Sequence, residues 1–242
     1  KVGKAQLALE VNTGIAEVGN FVSLMGTTEY LEMRREGYAN DGVVDYPSSA
    51  YDVNGTWDPD RYNDWQEILI GGVARQQQAN LRLGGGSERT RYLLGGTFRR
   101  ETTVFPGDNA YTKGGFLANM NHGGVDDPLH VSLSMNYVID HNDLPGEDLT
   151  NLTRTLAPNA PNLYNDDGSL NWADNTWANP IASRTYERFD AKSRTLILNG
   201  RVDYRFFKHW VVKANLGLTT MNLQDKKVTP STKFNPDLNL DS

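Results

Sequence analysis

The side chains able to do chemistry in this sequence are carboxylates, amides and aromatic rings. Cysteine is absent from the 242 residues, which removes thiolate metal sites, thiol nucleophiles and disulfide staples and fits any compartment. Four histidines, His122, His130, His141 and His209, fall into no HxxxH or HExxH spacing, so no two imidazoles share a helix face as a zinc site requires. Carboxylates stand beside turn residues at Asn40-Asp41-Gly42, Asp58-Pro59-Asp60 and Asp166-Asp167-Gly168. A calcium loop needs oxygens at alternating positions and a closing bidentate Glu, and none of the three completes that set. Asx turns are expected there instead. Nothing selects two carboxylates at the ~5–9.5 Å of a glycosidase pair, and no Ser, His and Asp stand out as a triad. The chain is expected to bind rather than to catalyse, with no metal and no cofactor.

The rings best placed to bind lie in two long connections: Tyr46, Tyr51 and Trp57 in 16–72, and Tyr164, Trp172 and Trp177 in 141–190. With Asn, Asp and Arg beside them, exposed rings suit stacking on sugars or gripping an extended peptide. The same rings equally suit packing one connection onto another.

Strands must hold these connections in place. Residues 4–15 alternate strictly, with Leu7, Leu9, Val11 and Ile15 on one face and Gln6, Glu10 and Asn12 on the other; period two over that length is a strand. The same alternation predicts strands over 75–83, 91–99, 115–122, 131–140, 194–206 and 210–221. Tight turns at Gly84-Gly85-Gly86-Ser87, at Gly123-Gly124 and at Phe207-Lys208-His209 join them in pairs. Helix is expected only inside 16–72: one opened by Thr27-Thr28-Glu29 and stopped at Gly37, and a second from Asp60 to Ile70, capped by Asp58-Pro59 and ended by Gly71-Gly72.

Long and short connections alternate without exception: 16–72, a glycine turn, 101–113, a second glycine turn, 141–190, an aromatic turn. Outer-membrane barrels show this parity, with short turns on one side and long loops on the other. A soluble sandwich has no reason to place every long connection at one end. Several strands also reach the ~9–11 residues that cross a bilayer, and Tyr204, Phe206, Phe207 and Trp210 at a short turn read as part of an aromatic girdle. A soluble barrel, with the apolar face turned inward, would leave a similar pattern.

Composition agrees with either solvent. The chain is 38% hydrophobic and 22% charged, with a mean hydropathy of −0.57 and no apolar run long enough for a transmembrane helix. Barrel strands average out in hydropathy, so a lipid-facing sheet stays open. A net charge of −6 and the absence of a basic stripe argue against a nucleic-acid partner.

The opening KVGKAQLALEVNTG and the passage DWQEILIGGVARQQQANLRLGGGSERTRYLLGGTFRRE resemble the SusC-like, or RagA-like, TonB-dependent outer-membrane transporters of Bacteroidetes. The match rests on Asp64, Trp65 and Gln66, then Gly85, Gly86, Ser87, Glu88, Thr90 and Tyr92, then Gly95 and Gly96, with Tyr164 to Trp172 and Asn179-Pro180 further on. The three glutamines after Arg75 and the short 101–113 connection depart from the family pattern and leave the substrate open.

The resemblance implies an all-β fold, an antiparallel transmembrane β-barrel segment of about seven strands from a barrel of about 22, with short helices in long external loops. It assigns 1–222 to the N-terminal portion of the barrel and 223–242 to the start of a further external loop. The plug domain and the remaining barrel strands would lie outside this sequence, which begins inside a strand pattern and reads as a piece of something longer. The function implied is import of oligosaccharides or peptides across the bacterial outer membrane. Its partners would be a SusD-like surface lipoprotein, TonB acting through the plug, and membrane lipid. The six loop aromatics would then contact ligand or lipoprotein. A passive porin-like barrel and a soluble carbohydrate-binding β-domain are the competing readings.

Overall fold

A computed structural model describes residues 3–144, 148–182, 186–207 and 210–238. Seven strands form one sheet in sequence order, each antiparallel to the next: β1 Gly3–Ala16, β2 Ala74–Gly86, β3 Thr90–Thr102, β4 Ala110–His122, β5 Leu129–Asn142, β6 Arg188–Arg205 and β7 Val211–Val228. All seven expected strands are present, and all run longer than the alternation alone marks. β4 starts at Ala110 because Thr102 pairs with Ala110 and Arg99 with Lys113, which shortens the connection expected over 101–113 to 103–109.

The register lines up one apolar row across the whole sheet. Leu7 pairs with Leu83, Leu83 with Leu94, Leu94 with Ala118, Ala118 with Met135, Met135 with Leu198 and Leu198 with Leu218. One step away the row is polar or glycine except at Leu93: Gln6, Gly84, Leu93, Asn119, Ser134, Asn199 and Gly217. No core covers the apolar face. Leu9, Leu133 and Leu216 are 67%, 47% and 78% exposed, with no described element packed over them.

The apolar band also slides along the register. On β1 it reaches from Leu7 up to Ile15, on β5 it spans Leu129 to Ile139, and on β7 it lies lower, from Val212 to Leu218. A level apolar belt that crosses the hydrogen-bonded rows obliquely means that the strands tilt against the belt, as closure into a barrel requires.

The turns 87–89 and 123–128 lie at one end of the sheet, together with the chain reversal after β6, whose expected turn residues Lys208 and His209 fall outside the described residues. Gly86 at φ +151 opens the first turn, where a Cβ would stand 2.2 Å from the Thr90 carbonyl. Ser87 Oγ accepts from the backbone N–H groups of Arg89 and Thr90 at 3.3 and 3.1 Å. The connections 17–73, 103–109 and 143–187 all lie at the opposite end.

Among the described residues, three α-helices have their bounds defined, all in the long connections: α1 Thr27–Asn40, α2 Trp65–Ile70 and α3 Leu152–Thr155. Helix α1 passes through Gly37, where a stop was expected. Glycine there costs about 1 kcal/mol, but Tyr38 beyond it packs on Tyr46 with ring centroids 5.2 Å apart and receives the Arg34 guanidinium 5.1 Å over its ring. The helix ends instead at Asp41, followed by Gly42 at φ +69, the usual left-handed terminator.

Helix α2 is shorter than expected. Residues 60–64 are occupied elsewhere, since Thr27 Oγ1 donates to the Arg61 carbonyl at 2.6 Å and the Asn63 N–H to that of Pro158 at 2.8 Å. Asp64 is the cap, its Oδ1 accepting from Gln66 and Glu67 N–H at 3.0 and 3.2 Å. Helix α3 was not expected, since helix was confined to the first connection. No helix among the described residues is long and apolar enough to cross a membrane, which says nothing about crossing by strands.

Candidate functional site

Nearly all the buried side chains lie above the sheet, in the connections. Trp65, Leu69 and Ile70 of α2 join Leu149, Ala160, Leu163, Leu170, Ile181 and Ala182 of the second long connection in one cluster. Val104 and Phe105 of the connection 103–109 pack against it. Three connections therefore close into a single cap at the loop end. A smaller cluster, Leu31, Ala50 and Val53, holds α1 against the segment that follows it.

The Asp-Trp-Gln motif organises the cap. Asp64 starts the helix, as above. Trp65, 3% exposed, donates its indole N–H to the Ala157 carbonyl at 2.8 Å. Gln66 brackets the backbone of Val22, accepting its N–H at 2.9 Å and donating to its carbonyl at 2.8 Å. Asn63 Nδ2 donates to the Ala160 carbonyl at 2.8 Å, and buried Asn159 donates to the Asp52 carbonyl at 2.9 Å, so the two long connections are tied by amides as well as by apolar packing.

The six aromatics singled out from the sequence separate into three groups. Trp57, Trp172 and Trp177 meet at the cap. Trp57 donates to Thr176 Oγ1 at 2.9 Å, and Trp177 to the Asn171 carbonyl at 2.9 Å while packing 6.1 Å from Trp65. Tyr51 packs on Trp57, ring centroids 6.1 Å apart. Tyr46 belongs to the α1 cluster with Tyr38. Tyr164 is half exposed and is joined to Leu170 by an antiparallel bridge.

Trp172 and Trp177 also line an open cleft of about 570 Å³ between the second connection and the segment after β7. Leu156, Pro180, Phe234 and Leu238 supply further walls, and Asn175 and Lys233 the polar rim. Lys233 Nζ reaches Glu187 at 2.6 Å and Thr229 Oγ1 donates to the same carboxylate at 3.0 Å, which fixes the start of β6 beside this cleft. The Lys233 hydrogen bond is the main reason that the Glu187 pKa lies below the usual carboxylate value. Aromatic walls with a polar rim are a lining that suits contact with an extended ligand.

A second concavity, about 630 Å³, lies on the polar face of the sheet, lined by Arg91, Asn119, Asn121, Ser132, Ser134 and Asn199 among others. The residues that build the cap itself, Trp65, Gln66, Asn159 and Asn179, were not among the sequence candidates. For Trp65 and Gln66 the signal was present, since both stand in the motif that carries the resemblance. For the two asparagines the only hint was the dipeptide Asn179-Pro180.

The charged centre of the cap is Asp52, nearly buried, which accepts from Arg34 Nε at 2.7 Å and from the Tyr30 hydroxyl at 2.9 Å. Burial works against the Asp52 carboxylate, but the bonds from Arg34 and Tyr30 outweigh it and hold its pKa below the usual 3.8. Burial, reinforced by the hydrogen bond to Asp52, pushes Tyr30 up to about 12. Two of the three acidic turns are closed by their own side chains: Asp167 Oδ1 accepts from Ser169 N–H and Oγ at 2.9 and 2.6 Å, and Asp58 Oδ1 from Asp60 N–H at 3.0 Å. Among the described residues no three His, Cys, Asp or Glu side chains cluster as a metal site would.

No family model matches the sequence, and no curated protein matches it. Solved structures do. A structure of the RagAB peptide importer in the 'closed-closed' state aligns with a TM-score of 0.66 and 16% identity over 94% of this chain. The same importer in the 'open-open' state gives 0.67 and 15%, and a structure of the RagAB peptide transporter 0.66 and 15%, each over 94% of this chain. At such identities the likeness is one of fold: this chain has the architecture of a segment of that barrel. It spans 29% of the length of each solved chain.

Proposed function

We propose that this chain is the N-terminal part of the barrel of a SusC/RagA-like TonB-dependent transporter in a bacterial outer membrane, importing peptides or oligosaccharides. The observation that carries this reading is the uncovered apolar face that spans all seven strands and ends on one side in short turns and on the other in a packed cap. In water that face would be a severe liability. In a bilayer it is the lipid surface, and the opposite polar face lines an aqueous lumen.

The strands account for residues up to Val228, and the segment that follows begins a further external connection. β1 and β7 each have a neighbour on one side only; unpaired backbone groups in lipid cost several kcal/mol each, so further strands of the same protein complete the barrel. Coupling to TonB is assigned to a plug domain outside these residues. A SusD-like lipoprotein would close over the cap, with the cleft at Trp172 and Trp177 holding part of the substrate. Transport needs no catalytic group, in keeping with a site built from rings and amides.

Fractionation and uptake test the proposal. The protein is expected in the outer-membrane fraction, soluble only with detergent, and a strain lacking it should lose TonB-dependent uptake of either labelled peptides or labelled oligosaccharides. A stable, detergent-free monomer of 27.0 kDa would overturn it.

A further inference from the structure

Four dipeptides in the sequence place glycine directly after Asn or Asp: Asp41-Gly42, Asn54-Gly55, Asp167-Gly168 and Asn199-Gly200. Glycine there carries no side chain to hinder its backbone nitrogen, which can attack the preceding side-chain carbonyl carbon when it is free to move. In three of the four it is not free. The Gly42 N–H donates to the Ala39 carbonyl at 3.1 Å and the Gly168 N–H to that of Asn165 at 3.0 Å. Gly200 is paired on both sides, with Leu133 and with Leu216, so its backbone is held in the ladder of an inner strand.

Gly55 differs. Among the described residues its N–H meets no acceptor. It is exposed, in a bend at φ +91, with nothing within 4 Å of where a Cβ would stand. The Asn54 amide before it is polarised, since its Oδ1 accepts from Thr56 N–H at 3.0 Å. That donor faces the oxygen on which negative charge develops when the amide carbon is attacked, as in an oxyanion hole. The amide Nδ2 donates to the Ser48 and Pro47 carbonyls at 3.1 and 3.4 Å. We propose that Asn54-Gly55 is a site of spontaneous succinimide formation, and that its conversion to aspartate or isoaspartate loosens the turn 47–57 within the cap.

The Gly55 nitrogen bonds to Asn54 Cγ as the Cγ–Nδ2 bond breaks, and Nδ2 leaves as ammonia with the proton that Gly55 gives up. Water then opens the ring. Addition at Cγ breaks the new bond and gives aspartate; addition at the main-chain carbonyl carbon breaks the original peptide bond and routes the chain through Cγ as isoaspartate. Water is the co-reactant, and nothing is oxidised or reduced. Either product sets a carboxylate oxygen where Nδ2 had donated to Pro47 and Ser48, leaving those carbonyls opposite an acceptor. Isoaspartate also lengthens the backbone between Val53, in the α1 cluster, and Trp57, whose indole ties the first long connection to Thr176 of the second. The inference uses only the turn 47–57 and is independent of the transporter reading.

The test incubates the full-length protein at mildly alkaline pH in heavy-oxygen water, locates the label by peptide mass spectrometry and follows protease nicking within 43–57. Asn54 is expected to take up a labelled oxygen about 10-fold faster than Asn199 or more, because the strand around Asn199 must open first. Nicking should rise in step with the label. In Asn54→Gln, whose longer side chain would have to close a larger ring, both the label at this position and the rise in nicking should be lost. Asn54 without label, label at Asn199 as fast as at Asn54, or nicking that climbs equally in Asn54→Gln each overturns the inference.

Discussion

The sheet and the cap are built for different surroundings, though they alternate along one chain. In the sheet, Leu9, Leu133 and Leu216 face outward with nothing over them, and the order comes from hydrogen-bonded ladders between neighbouring strands. In the cap, Leu69 and Leu149 are fully buried, and order comes from side chains that meet across long sequence separations. On the outer-membrane reading, apolar residues in the sheet are placed by the membrane and those in the cap by water. Hydrophobicity therefore tells little about burial in this protein until the position along the strand–loop alternation is known.

The comparison is most strongly tested at Trp65. Trp65→Ala removes a buried indole and its bond to Ala157 and should cost the cap about 3–5 kcal/mol. Hydrogen exchange should show 17–73 and 143–187 losing protection together while the strands keep theirs; loss of protection in the strands would mean that cap and sheet are one cooperative unit. Leu133→Arg tests the other region. A cation near the middle of the lipid face should cost about 2–4 kcal/mol, read as impaired insertion, whereas Ser134→Arg next to it, on the polar face, should insert normally.

Asp52→Asn weakens charge-assisted bonds to Arg34 and Tyr30, for an expected loss of about 1.5–3 kcal/mol in the cap. The pH dependence has two sides. Because the Asp52 carboxyl is held below 3.8, its stabilisation is complete above that value and is lost as pH falls through the folded pKa. Tyr30, raised from 10.0 to about 12, contributes while neutral and ceases to do so as pH climbs from 10 through 12. Protease nicking near α1 should rise at both extremes in the native protein, and the acid limb should vanish in Asp52→Asn. The smallest effect is expected from Asp64→Ala, about 1 kcal/mol for a lost helix cap, seen as faster exchange in α2 alone.

The sheet was the more legible region, for a physical reason. Alternation is a local property, so residues such as Val131, Leu133 and Met135 announce their strand, their face and, through the turns, their neighbours. The cap depends on meetings that no local pattern encodes. Gly37 read as a stop because nothing nearby indicated that Tyr38 would find Tyr46, and Asp58 read as a cap because Asn63 gave no sign of its bond to Pro158. The six aromatics could be placed in loops but not assigned partners; Trp57 and Thr176 are 119 residues apart.

That separation has a consequence for biogenesis. The first long connection carries Trp57, Trp65, Leu69 and Ile70, and most of the buried side chains that join them come from the stretch between β5 and β6. Contacts between segments so far apart in sequence form slowly, so the cap is expected to close only once the strands have brought the two long connections to the same end of the sheet. Until that stretch docks, Trp65, Leu69 and Ile70 lack most of the side chains that bury them, and a factor assisting the fold would meet that apolar surface.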